Sequence, residues 1–196
     1  MSKGETTGIE HLLDQPEIVA WLHAEPASAW PAHIRTLTLR NGVRLMIEPL
    51  RPGDTRTVVE VFDQLGDASR RARFKASKPA LGEQELQWLT AVDSRHHALV
   101  AYVESDPRAV GIARLVRTGP TAEIGFEVAD RYQRLGIGAA LTGELLTDAR
   151  AGGVTEITAV ISTENRAALA LLRRLLSAIQ VERGGRDLLV WAPLSA

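Results

Sequence analysis

Three short apolar stretches in succession, 98–103, 110–116 and 122–128, run into a glycine-bearing junction and then into a helical repeat. This change of period constrains the fold more than any other feature of the chain. Ser105-Asp106-Pro107-Arg108 and Thr118-Gly119-Pro120 separate the stretches and read as turns. Parallel neighbours need a crossover of a dozen or more residues, so connections this short imply an antiparallel meander. After Asp130 the apolar positions Ile137, Ala140, Leu141, Leu145 and Ala149 fall on one helical face, which Gly152-Gly153 ends.

The flanking segments complete the order. Residues 34–40, Asn41-Gly42 and 43–48 read as strand, two-residue turn and strand. A helix capped by Asp54 or Thr55 is expected to run to Leu65, followed by helices over 69–76 and 82–90. Downstream of the junction come a strand over 154–161, a helix starting at Thr163 or Glu164, and a hairpin turning at Arg183-Gly184-Gly185-Arg186. Residues 1–42 are read as an N-terminal extension, with a short amphipathic helix over 9–24 broken at Pro16 and a connector over 25–31. The domain proper is read as 43–196. The extension either covers an acceptor cleft or joins a homodimer interface.

Composition removes several chemistries. With no cysteine, the chain has no disulfide framework, thiolate nucleophile or Cys-ligated metal site. A net charge of −1 gives no global reason to expect nucleic-acid binding. No apolar run approaches the roughly 20 residues that span a bilayer, and the N-terminus lacks a signal-peptide core, so a cytoplasmic protein without membrane contact is expected. His96-His97 is a weak metal signal, because adjacent residues rarely ligate together, and no metal is expected.

The chemistry concentrates in Phe126–Leu141, where Gln133-Arg134-Leu135-Gly136-Ile137-Gly138 joins a strand to a helix. Glycines there let a ligand approach backbone N–H groups, and a helix N-terminus offers unpaired donors and partial positive charge. The junction therefore suits a phosphate or pyrophosphate. A Rossmann reading wants glycine or alanine where Leu141 stands, and a P-loop wants Gly-Lys-Ser/Thr. A tight structural turn remains the plain alternative.

The six-residue junction resembles the Q/R-x-x-G-x-G/A motif of the GNAT superfamily of acyl-CoA N-acyltransferases, and the order of elements over 43–194 agrees with that family. Ser69-Arg70-Arg71-Ala72-Arg73-Phe74, Lys78-Pro79 and Ala122-Glu123-Ile124-Gly125-Phe126 are similar to the GNAT domain of bacterial Pat-type protein lysine acetyltransferases. The resemblance implies an α/β (α+β) fold with a mixed, mostly antiparallel central sheet flanked by helices. It implies acetyl-CoA as cosubstrate, held by Gln133, Arg134, Leu135, Gly136, Ile137, Gly138 and Ala139 at the pyrophosphate. Phe126, Val128 and Asn165 would lie along the pantetheine arm. The implied activity is direct acetyl transfer to an amine, a protein lysine or a small molecule. A non-catalytic acyl-CoA sensor and an interaction module are the alternatives.

An amine attacks a thioester only as the free base, and a lysine near neutrality is more than ~99% protonated. A carboxylate base is expected. Glu123 and Glu127 share one strand face by their even spacing, and the resemblance marks Glu123 as the base. Many family members carry a tyrosine acid seven residues after the asparagine, where this chain has Leu172. The run Arg70, Arg71, Arg73, Lys75 and Lys78 is read mainly as a solvated helix face with structural pairing.

Overall fold

The computed structural model describes residues 30–76 and 78–195. The helix expected over 9–24 and most of the 25–31 connector lie outside the described residues.

The sheet begins with β1 (Arg35–Thr38) and β2 (Arg44–Pro49), paired antiparallel with Arg35 opposite Ile47. The connection is one residue longer than the expected Asn-Gly turn: Leu39 donates to the Val43 carbonyl at 2.8 Å, Arg40, Asn41 and Gly42 form the loop, and Gly42, at a φ of 81°, donates its N–H to the Leu39 carbonyl. This hairpin crosses the 42/43 boundary, so the packed body starts inside the segment read as an extension. Trp30 belongs to it too. Its indole stacks on His97 at 5.1 Å and donates to the Asp93 carbonyl at 3.0 Å.

Three helices follow: α1 (Thr55–Asp63), α2 (Asp67–Phe74) and α3 (Glu83–Leu89). Asp54 caps α1, its carboxylate accepting from the Thr57 N–H at 3.1 Å. The meander is β3 (His96–Val103), β4 (Asp106–Thr118) and β5 (Thr121–Val128). The first expected turn is displaced. Glu104-Ser105 makes the turn, and Asp106-Pro107-Arg108 already belongs to β4. Register shifts around Tyr102 absorb Pro107 and Arg108, and an irregularity of this kind tolerates a residue with no N–H to give the ladder. Gly119, at a φ of 66°, turns β4 into β5 as expected.

A 3₁₀ turn (Asp130–Tyr132) leads to α4 (Ile137–Ala151), then β6 (Glu156–Ser162), α5 (Arg166–Leu175), β7 (Gln180–Gly184) and β8 (Asp187–Pro193). The eight strands form one sheet in the order β1-β2-β3-β4-β5-β6-β8-β7. Every pairing is antiparallel except β5 with β6. No helix among the described residues is long and apolar enough to cross a membrane.

Period-two alternation divides the core between the faces. Leu99 and Ala101 of β3, Ala113 and Leu115 of β4, and Ala122 and Ile124 of β5 pack with Ile137, Leu141 and Leu145 of α4. Ala98, Val100 and Ile112 pack on the other face with Val58 and Val61 of α1 and Leu89 of α3. The same alternation turns Glu123, Gly125 and Glu127 away from α4, toward the side that α2 covers.

Candidate active site

The parallel β5–β6 ladder is short. It pairs Thr121 with Glu156 through Glu123 with Thr158, and stops. Past that point the two strands diverge, and a cavity of about 920 Å³ opens between them, lined from β5 by residues 123–128 and from β6 by residues 159–162. Helices α2 and α5 and the junction before α4 complete its wall.

One end of the cavity is made of backbone. Gly136 is the N-cap of α4 with a φ of 92°, a conformation that strains any residue with a Cβ. Arg134 also takes a positive φ, 61°. No side chain caps the helix, so its first-turn N–H groups point outward unpaired. A Cβ on Gly138 would meet Leu171 at 3.3 Å and Val128 at 3.5 Å, so glycine lets α4 start close against β5 and α5. Gln133 braces the approach, its amide donating to the Val128 carbonyl at 3.0 Å and to Asp130 at 3.1 Å. Such an end fits a pyrophosphate.

Gln133, Arg134, Gly136, Gly138, Ala139, Phe126, Val128 and Asn165 all line the cavity. Leu135 and Ile137 do not. The Leu135 side chain is exposed and its carbonyl accepts from Asn41, while Ile137 is fully buried in the α4 core. Whatever these two give a ligand comes from the backbone. Asn165 caps α5, its Oδ1 accepting from the Ala168 N–H at 3.1 Å, so capping and cavity lining coincide in one residue.

The other end is made of side chains. Glu123 is half-buried, and burial pushes its carboxyl above the ordinary glutamate range against the pull of Arg73 and Lys75. Glu127 lies two positions along the same face and behaves differently. Its carboxylate, 5% exposed, accepts from Arg73 Nε at 2.6 Å and from Arg114 at 3.3 Å. Burial raises its pKa and the two guanidinium groups more than offset this, leaving it below the usual range. A carboxylate so engaged is a poor proton acceptor. Arg114 also donates to the Leu89 carbonyl at the end of α3, and burial lowers its own proton affinity. Trp88 of α3, 44% exposed, and Val116 stand on this side of the cavity.

Arg73 and Arg114 are the residues that sequence reasoning undervalued. Arg73 sits in the basic run, whose other members are mostly structural: Arg70 lies over the Phe62 ring at 4.1 Å, Lys75 pairs with Asp187 and Lys78 with Glu85. Arg71 lines the cavity. Arg114 is the one charge within the apolar stretch 110–116, which is a readable signal of a buried ion pair. Neither His96 nor His97 lines the cavity. His97 is buried with Asp148 of α4 at 2.7 Å, and His96 bonds Asp93 at 2.9 Å. Leu172 is fully buried, and neither Tyr102 nor Tyr132 lines the cavity.

Comparison with known proteins decides what this cavity belongs to. The model of the Acetyltransferase (GNAT) family matches residues 62–176. The chain belongs to the GNAT family of acetyltransferases. An acetyltransferase of Pseudomonas aeruginosa is 34% identical over 139 residues, which are 66% of this chain and 73% of that protein. The Acetyltransferase Pat of Mycolicibacterium smegmatis is 30% identical over 142 residues, 70% of this chain but 42% of Pat. The chain thus matches less than half of Pat's length. The GNAT domain of S. lividans PAT superposes with a TM-score of 0.75 at 22% identity, over 84% of this chain and 99% of that domain. The expected fold is therefore the observed one, and the chain is an N-acetyltransferase by family.

Proposed function

We propose that this GNAT protein transfers acetyl from acetyl-CoA directly to the side-chain amine of a protein lysine, with residues 43–196 as the catalytic unit. The observation that carries the reading is that one cavity joins an uncapped helix N-terminus to a half-buried carboxyl group whose proton affinity burial has raised.

At the first end, the N–H groups after Gly136 hold the pyrophosphate of acetyl-CoA, and Phe126 and Val128 stand where the ladder has opened for the pantetheine arm. At the second, Glu123 takes a proton from the acceptor ammonium. An ordinary lysine has a pKa of about 10.4, so a base with a raised pKa has a shorter gap to cross. The freed nitrogen attacks the thioester carbonyl carbon. The C–N bond forms, the C–S bond breaks, and the electron pair leaves on sulfur. A thiol of pKa near ~8.5 departs without a tyrosine acid, taking its proton from water or from the newly acylated nitrogen. Trp88 offers an aromatic face for the aliphatic stem of a lysine. The likeness to Pat-type enzymes favours a protein acceptor, and the reading includes a cytoplasmic location because the proposed cosubstrate is an intracellular metabolite.

Calorimetry with acetyl-CoA, followed by turnover with lysine peptides and with small amines, tests this reading. Binding with peptide turnover is expected. Turnover of small amines alone reassigns the acceptor. Binding without any turnover makes the chain an acyl-CoA sensor, and no binding makes the glycine junction purely structural.

A further inference from the structure

The Arg73–Glu127 pair is built with more care than holding α2 in place requires. Arg73 reaches Glu127 by crossing the strand directly over Gly125. A Cβ at Gly125 would meet the Arg73 guanidinium at 3.0–3.2 Å, so glycine leaves room for this path and any side chain would push the guanidinium aside. Gly125 lies between Glu123 and Glu127 on the same face of β5, so the guanidinium crosses the face that carries Glu123, close enough for its charge to act on that carboxyl without pairing with it. Glu127 is in turn fixed by Arg114, which is anchored on the last carbonyl of α3. We propose that Arg73 is a positioning residue for the acceptor base Glu123, and that Glu127 acts on the transfer by holding Arg73 there and balancing the guanidinium charge. The inference rests on Glu123 being the base.

The charges on every side make the role specific. From α2, Arg73 and Arg71 line the cavity, and Lys75, just past the helix, adds its charge near Glu123 but is already paired with Asp187 of β8. From β4 comes Arg114, and from β5 itself Glu127. From β6 comes Thr158, which carries no charge, and Glu164 and Arg174 line the cavity from the α5 side. With Glu123 ionised, Arg73 and Arg114 are balanced by Glu123 and Glu127. When Glu123 takes up the acceptor's proton, one positive charge is left uncompensated near a half-buried carboxyl. That charge drives the proton back off Glu123 before the next turnover. Burial makes Glu123 basic enough to accept, and Arg73 keeps it from holding on.

The test is the acidic limb of kcat against pH, read at saturating acetyl-CoA and lysine peptide. Arg73→Gln removes a positive charge, so the limb should move up by roughly half a unit or more, with kcat on the limb down about threefold or more. Glu127→Gln leaves the guanidinium groups uncompensated, so the limb should move down. Arg73→Lys keeps the charge, and the limb should stay near that of the parent. Acetyl-CoA affinity and circular dichroism confirm folding. If Arg73→Gln does not fold, Glu127→Gln and Arg73→Lys carry the test. A merely structural pair would lower stability or kcat without moving the limb in opposite directions. Unmoved limbs in Arg73→Gln and Glu127→Gln overturn the inference when Glu123→Gln still abolishes the limb. If Glu123→Gln keeps the parental limb, it is the base assignment that fails.

Discussion

The two ends of the cavity are made by different physics. The end at Gln133–Ala139 is backbone: one residue at a φ of 92°, an uncapped helix and a glycine at a close approach. The end at Glu123 is side chain: a half-buried carboxyl, a neighbouring carboxylate held by two guanidinium groups, and an exposed indole. Backbone donors are fixed by the fold and bind any phosphate alike. Side chains set proton affinity and choose the acceptor. One chain can therefore keep its cosubstrate end constant while the other end changes.

Substitutions at the two ends should separate cleanly. Glu123→Gln should lower kcat by about 10²–10⁴ while the acetyl-CoA Kd from calorimetry stays within about twofold. A comparable loss of acetyl-CoA affinity would merge the two ends into one. Gly138→Leu should do the reverse. It pushes side-chain atoms into Leu171 and Val128, so the acetyl-CoA Kd should rise by about 10–100-fold. An unchanged Kd would show that the α4 N-terminus does not hold the ligand. Trp88→Ala gives the smallest effect, a rise of about five- to tenfold in KM for a lysine peptide with acetyl-CoA affinity kept. An equal KM for peptide in parent and variant would remove the indole from the acceptor path.

The same division explains what the sequence made legible. Periodicity and turn residues showed the element order, the meander and the helix after the glycine junction, because these follow from local pattern. Pro107 misled, since a proline reads as turn unless the ladder around Tyr102 is known to shift. The motif located the helix junction at one end of the cavity, but its letters do not say that Ile137 serves the core while its neighbours line the cavity. At the other end, Glu123 was legible and its surroundings were not. Arg73 and Glu127 are 54 residues apart, and nothing local distinguishes the arginine that crosses Gly125 from Arg70, which packs on Phe62. His97 was illegible for the same reason, its partner Asp148 being 51 residues away on α4.

The central claim is that a half-buried Glu123 is the group that frees the amine. The most direct test is the pH dependence of single-turnover acetyl transfer with both substrates saturating. Because burial raises the Glu123 pKa, the rate should fall on acidification through a midpoint above the ordinary glutamate value of 4.5, and Glu123→Gln should lack that limb. A rate that stays level through the weakly acidic range, or a limb that survives in Glu123→Gln, would contradict the account.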